Sequence, residues 1–234
     1  MSEIWSALGK AMVLIADFDP DLVEIIGLSL RVSLTAVLIA GVIGLPVGAA
    51  VALFRFPGRP VLVVLINALM GLPPVVVGLM VYLLLSRAGP FGVFNLLYTP
   101  TAMIIAQAIL IGPIIAALTR QTVEDLWQEY GEQLTSFGVG PGRAVWTLLW
   151  DGRFSLLTGV LAGFGRASAE VGAVMIVGGN IDHLTRVMTT SIALETSKGN
   201  LEIALALGII LLIIALGINA SAYAIRDVAY RAES

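Results

Sequence analysis

Ionisable and nucleophilic side chains are scarce in this chain, and those present narrow the chemistry quickly. Arg166 and Glu170 stand four residues apart inside an apolar stretch. On a continuous helix that spacing places opposite charges one turn apart, where they can pair. A charge within a membrane costs about 2.5–3.5 kcal/mol on insertion scales, so both residues should face protein or water and find a partner. They could fix a helix in place, or they could sit at a translocation path or inner gate. Gly138-x-Gly140-x-Gly142 has some of the look of a phosphate loop, but Arg143 stands where a G-x-G-x-x-G motif needs its third glycine. Lys10 and Lys198 are the lysines, and neither lies in a G-x-x-x-x-G-K-[ST] setting. Any ATP that powers this protein must then be bound by another subunit. Cysteine is absent and His183 is the single histidine, which excludes disulfides, thiol nucleophiles and clustered histidine ligation. Without a nucleophile–base pair or a metal set, a transport subunit is expected rather than an enzyme.

The elements that would position these residues are apolar. Hydrophobic residues make up 58% of the chain and charged ones 12%, about half the charged share of a soluble domain. Five windows, at about 30–54, 61–85, 101–118, 154–177 and 201–224, reach the roughly 17–25 residues that a membrane-spanning helix needs. A single buried helix can be apolar all round, but five in a small chain are hard to bury without lipid. The expectation is an all-α membrane protein of five transmembrane helices, one permease domain over 1–234, with no nucleic-acid partner. Residues 1–17 contain Glu3 and Asp17 and lack the basic start and cleavage site of a secretory leader. Within 4–15, Ile4, Leu8, Met12 and Ile15 share a helical face, which suggests a short interfacial helix. Asp19-Pro20 then offers an N-cap followed by a first-turn proline.

Inside the windows, Gly44-x-x-x-Gly48 and Gly159-x-x-x-Gly163 suit close helix packing. Gly71-Leu72-Pro73-Pro74 and Gly112-Pro113 interrupt the helical hydrogen bonding. Each marks either a kinked packing helix or a hinge of the kind that alternating access requires. Residues 178–200 are too polar to span, and their middle, Thr185 to Glu195, could form a helix at an external mouth that includes His183. Asn180, Thr189, Thr190 and Ser191 lie in this segment; they could offer donors to a passing ligand or cap that helix.

The third and fourth windows are separated by a charged interlude at about 120–153. Gly138 can end a short helix with φ > 0, and Pro141 suits the first turn of the next. The result is a helix–glycine–helix elbow that presents Glu129, Glu132 and Phe137 outward, with Arg143 beyond the turn. A short amphipathic helix with an apolar anchor fits a groove on a partner. Basic residues flank the windows unequally: Arg55, Arg59, Arg120, Arg143, Arg153, Arg226 and Arg231 on one side, Lys10, Arg87, Arg186 and Lys198 on the other. The positive-inside rule then puts the elbow and the C-terminus in the cytoplasm and the N-terminus outside.

Glu132, Gly138 six residues later and Leu148 ten after that resemble the cytoplasmic E-A-A-x3-G-x9-I-x-L-P loop of ABC-importer permeases. Gln133 and Leu134 replace the two alanines, and Trp150-Asp151 replaces the final Leu-Pro. The run AEVGAVMIVGGNI at 169–181 is similar to the tungstate branch of the molybdate/tungstate/sulfate-type permeases. This resemblance extends across nearly the whole chain. It implies a type I ABC-importer permease fold in the cell membrane and a homodimer of permeases. It also implies a separate ATPase dimer that binds ATP-Mg, no cofactor on this chain, and an extracytoplasmic oxyanion-binding protein. A tetrahedral dianion offers only acceptor oxygens, so hydroxyl, amide and backbone N–H donors would suit its path. The alternative reading is a self-contained secondary transporter or channel that uses Arg166 and Glu170.

Overall fold

The computed structural model of the protein describes residues 9, 12, 13, 16, 17 and 19–233, with side chains as far as 221 and at 224. The interfacial helix expected at 4–15 lies outside these residues, apart from isolated positions. Among the described residues the secondary structure is helical, without strands. The helices are α1 (Pro20–Leu53), α2 (Arg59–Leu69), α3 (Pro74–Leu85), α4 (Pro100–Ser136), α5 (Pro141–Asp151), α6 (Arg153–Ser168), α7 (Gly172–Gly178), α8 (Met188–Lys198) and α9 (Leu201–Glu233).

α1 begins about ten residues before its apolar window because a cap, not hydropathy, starts it. Asp19 Oδ1 accepts the N–H groups of Asp21 at 3.0 Å and Leu22 at 3.3 Å, satisfying donors that the first turn leaves without intrahelical partners. α1, α4 and α9 through Ser221 are each long and apolar enough to cross a membrane. The second and fourth windows are each split, as α2 with α3 and α6 with α7; counting each broken pair as one span gives five. The two prolines at 73 and 74 account for the first break. Each disfavours the α region for the residue before it, so two successive positions are barred from the helix. Pro113 is single, and α4 runs through it unbroken.

The second break alters the expectation for Arg166 and Glu170. Arg166 is in the last turn of α6, whereas Glu170 lies in the interruption that follows. The uninterrupted helical turn assumed for the pair is therefore absent. Glu170 is 3% exposed, and its Oε1 accepts the N–H of Ala173 at 3.0 Å in the first turn of α7. Its carboxylate marks a helix restart.

Backbone contacts divide the chain into two compact units. The first comprises Met1–Thr35, Pro74–Gln107 and Ser168–Ser221. Within it, α3 packs closely on α7: a Cβ on Gly78 would lie 2.8 Å from Ala173 Cα. Leu22, Met188, Ala206 and Leu207 form a buried cluster joining α1, α8 and α9. The second unit comprises Ala36–Pro73, Ala108–Ala167 and Ala222–Ser234. Here both glycine pairs seat their helices on α4. A Cβ on Gly48 would lie 2.4 Å from Ala116 O and 2.8 Å from Thr119 Cβ, and one on Gly163 would lie 3.1 Å from Ile115 Cδ1.

Candidate functional site

The charged interlude is not an extended loop. α4 continues as a helix to Ser136, a short turn follows, and α5 resumes at Pro141. The turn closes by two backbone bonds: Gly138 N–H donates to Thr135 O and Val139 N–H donates to Leu134 O, both at 2.9 Å. Gly138 has φ +71°. These are the two bonds of a Schellman ending, in which the residue at this position adopts the left-handed conformation that glycine tolerates best. Leu134 and Val139 complete it by packing on one apolar cluster.

That cluster holds the elbow rigidly. Ala144, Val145 and Leu148 of α5 are buried against Ala49 and Leu53 of α1 and Val123 of α4. Beside it, Arg59 at the start of α2 donates from Nε to Val51 O at 2.8 Å and from Nη2 to Ala52 O at 3.2 Å. It thereby satisfies carbonyls that the end of α1 leaves over. Arg59 also pairs with Glu124 of α4, whose second oxygen pairs with Arg120. Arg59 was legible in the sequence only as a flanking positive charge; its partner Glu124 lies 65 residues away.

From this frame Glu129, Glu132, Gly138 and Arg143 are exposed, and Phe137 is 82% exposed. Glu132 borders a shallow depression of about 620 Å³ with Trp127, Gln128, Gly131, Thr135 and Ser136. The arrangement can offer acidic groups and one phenyl ring to a partner, on a support that need not reorganise.

The first unit treats its polar residues differently. Thr190 is fully buried. Its hydroxyl accepts the N–H of Val187 at 3.2 Å, the half of a capping box that a valine at the cap position permits. It donates to Asn180 Oδ1 at 2.8 Å, with Val187 O at 3.1 Å as the alternative acceptor. Thr189 donates to Glu170 O at 2.8 Å. Thr185, which sequence reasoning did not single out, donates to Gly178 O at 2.5 Å and accepts from Ile181 N–H at 2.9 Å. Ser29 of α1 was also missed, because a lone serine just before an apolar window carries no positional signal. Its hydroxyl accepts the N–H of Met188 at 2.7 Å and so caps α8 from another helix.

Ser191 is 2% exposed and borders a cavity of about 150 Å³. Asp19, Asp21, Glu24, Asp182, Glu195, His183 and Arg186 also line that cavity. Five carboxylates against one arginine and one histidine make it a poor seat for a dianion. Lys198 at 2.8 Å and Asn200 at 3.1 Å hold the Glu195 carboxyl below its usual range, against the opposing effect of burial. His183 Nδ1 lies 2.9 Å from Glu24 Oε2. That contact, reinforced by the charges of Glu24, Asp182 and Asp21, raises the histidine above its ordinary 6.5.

Residues 44–231 match the family model of the binding-protein-dependent transport system inner membrane component. The chain is 41% identical over 227 residues to a tungstate uptake system permease protein of Peptoclostridium acidaminophilum, covering 97% of this chain and 100% of that one. It is 42% identical over 211 residues to a probable anion ABC transporter permease protein of Haloferax volcanii, covering 88% and 91%. A tungstate uptake system permease protein of Campylobacter jejuni is 34% identical over 216 residues, covering 92% and 90%. A self-contained secondary transporter has no support beside these matches. The broken spans, the helical elbow and the family match agree: this chain belongs to the binding-protein-dependent permeases, the non-catalytic multi-pass membrane subunits of ABC importers, built on the type I fold and working with an ATPase and a substrate-binding protein.

Proposed function

We propose that this permease imports tungstate, as a homodimer served by a separate ATPase dimer that binds ATP-Mg and by an extracytoplasmic oxyanion-binding protein. The observation that carries the substrate is the 41% identity over 97% of the chain to a permease named for tungstate uptake. A second tungstate uptake permease at 34% identity supports it. The N-terminus is outside and the C-terminus and elbow are cytoplasmic, on the balance of flanking basic residues. The ATPase docks on Glu129, Glu132, Phe137, Gly138 and Arg143; their exposure on a clamped helix–turn–helix favours that role.

The translocation path or gate includes Arg166, Glu170, Asn180, Thr189, Thr190 and Ser191. Where their hydrogen bonds are to protein groups, as for Thr189 and Thr190, they shape the path by holding the helix restart and α8 in register.

Uptake into vesicles that contain the permease, its ATPase and its binding protein tests the reading. ATP-dependent accumulation of tungstate well above that of sulfate is expected. Equal accumulation of the two, or accumulation without the ATPase, would reject it.

A further inference from the structure

In the second unit, the short link between α1 and α2 leaves an open pocket of about 340 Å³ against α4. Arg55 lines it from the link and Arg59 from the start of α2, while Glu124, Trp127 and Gln128 line it from α4. The three α4 residues stand at i, i+3 and i+4 and so share one face of the helix. Trp127 fits along that face because Gly131 follows it, where a Cβ would lie 3.1 Å from the indole.

Arg59 is fixed before any ligand arrives. Its Nε and Nη2 are committed to Val51 O, Ala52 O and Glu124. Its Nη1 has no acceptor among the described residues, so a guanidinium held on one edge presents donors on the other. Glu124, the carboxylate that lines the pocket, gives one oxygen to Arg59 and the other to Arg120. Arg55 is exposed and has no hydrogen bond or ion pair to a described residue. Three guanidinium groups therefore meet one carboxylate, and two positive charges are left over. The indole N–H of Trp127 and the amide of Gln128 also find no acceptor among the described residues.

We propose that this pocket binds a phosphate-type oxyanion, with Arg55 and Arg59 as the charged donors and Trp127 and Gln128 as the neutral ones. A guanidinium edge matches two oxygens of a tetrahedral anion, and bonds of this kind between charged groups are the strong ones. Because Arg59 is already immobilised, the cost of ordering side chains on binding falls mainly on Arg55. The phosphate chemistry is the same whether the anion is free in solution or carried on a lipid headgroup. The site shares no residue with the proposed substrate path or the proposed ATPase contacts, and it does not depend on which anion is imported.

The test has two arms, both on the full-length permease. In the first, radiolabelled inorganic phosphate is titrated onto the protein in phosphatidylcholine nanodiscs. In the second, retention of phosphatidylglycerol over phosphatidylcholine of identical chains is read by native mass spectrometry. Arg55→Gln should weaken binding about tenfold or more, the factor for one hydrogen bond to a charged group, while Arg87→Gln, on the far side of the spans, leaves it unchanged. A response to Arg55→Gln in the phosphate arm assigns a free anion, and one in the lipid arm alone assigns a headgroup. No response in either arm would overturn the proposal, as would an equal loss in Arg87→Gln, which would show general attraction to positive charge. So would loss of ATPase co-purification in Arg55→Gln with phosphate and lipid binding unchanged, since the pocket would then seat an acidic side chain of the ATPase. If Arg55→Gln does not fold, Trp127→Phe decides: it removes one neutral donor, and about threefold weaker binding supports the site, whereas unchanged binding in both arms refutes it.

Discussion

The α7–α8 region of the first unit and the elbow of the second use polar residues in opposite ways. In the first, Thr185, Thr190 and Ser29 are buried and spend their hydroxyls on backbone groups or on Asn180. In the second, Glu129, Glu132 and Arg143 stand exposed on an elbow whose rigidity comes from an apolar cluster and a glycine turn. A buried polar group fixes position because leaving it unpaired is costly, whereas an exposed charge on a stiff support costs little and remains open to a partner. Residue type alone does not separate these cases, since both regions offer groups that could bind a ligand.

The sharpest way to break the contrast is to attack packing. Gly48→Leu drives a side chain into Ala116 O, which stands 2.4 Å from the Cβ position. Backbone cannot yield as a flexible side chain can, so a loss of about 3 kcal/mol or more is expected, beyond ordinary overpacking. Detergent melting and membrane yield report it; a protein that melts normally would mean the close approach is not real.

Thr190→Val is nearly isosteric and removes only hydrogen bonding, leaving Asn180 Oδ1 and Val187 N–H short of a partner. The expected cost is about 1–3 kcal/mol. A variant as stable as the parent would show that water replaces the hydroxyl, and the first unit would then resemble the second.

Glu132→Lys tests the other side. As an exposed residue away from buried features it should change stability by about 0.5 kcal/mol or less. Reversal of its charge should nevertheless weaken ATPase association, measured by co-purification, and reduce uptake with it. Full uptake would show that this surface does not couple to the ATPase.

The smallest effect belongs to His183. Glu24 raises its value above 6.5 in the folded protein, so the stabilising contribution is complete below the unfolded value. It is lost as pH rises through the folded one. The melting temperature of the unaltered protein should therefore decline slightly on that rise relative to His183→Gln. Parallel curves for the two proteins would show that the contact with Glu24 contributes nothing.

Much of this was legible along the chain because its causes are local. Asp19 caps α1, Gly138 ends α4 and Pro141 starts α5, each through groups within a few residues. The apolar windows predict spans because lipid demands continuous hydrophobicity wherever the chain crosses. The tandem prolines predict a break, and the break is there.

What the tertiary structure decided depends on groups that are distant in sequence. Arg59 reads as one flanking cation until Glu124 and the end of α1 are brought beside it. Ser29 has no pattern of its own, and its role exists because Met188 lies 159 residues away. Arg166 and Glu170 have ideal helical spacing, yet the chain leaves the helix between them. There one carboxylate oxygen of Glu170 accepts the Ala173 N–H in the first turn of α7. Sequence spacing determines what residues could reach if the backbone continued; only packing determines whether it does.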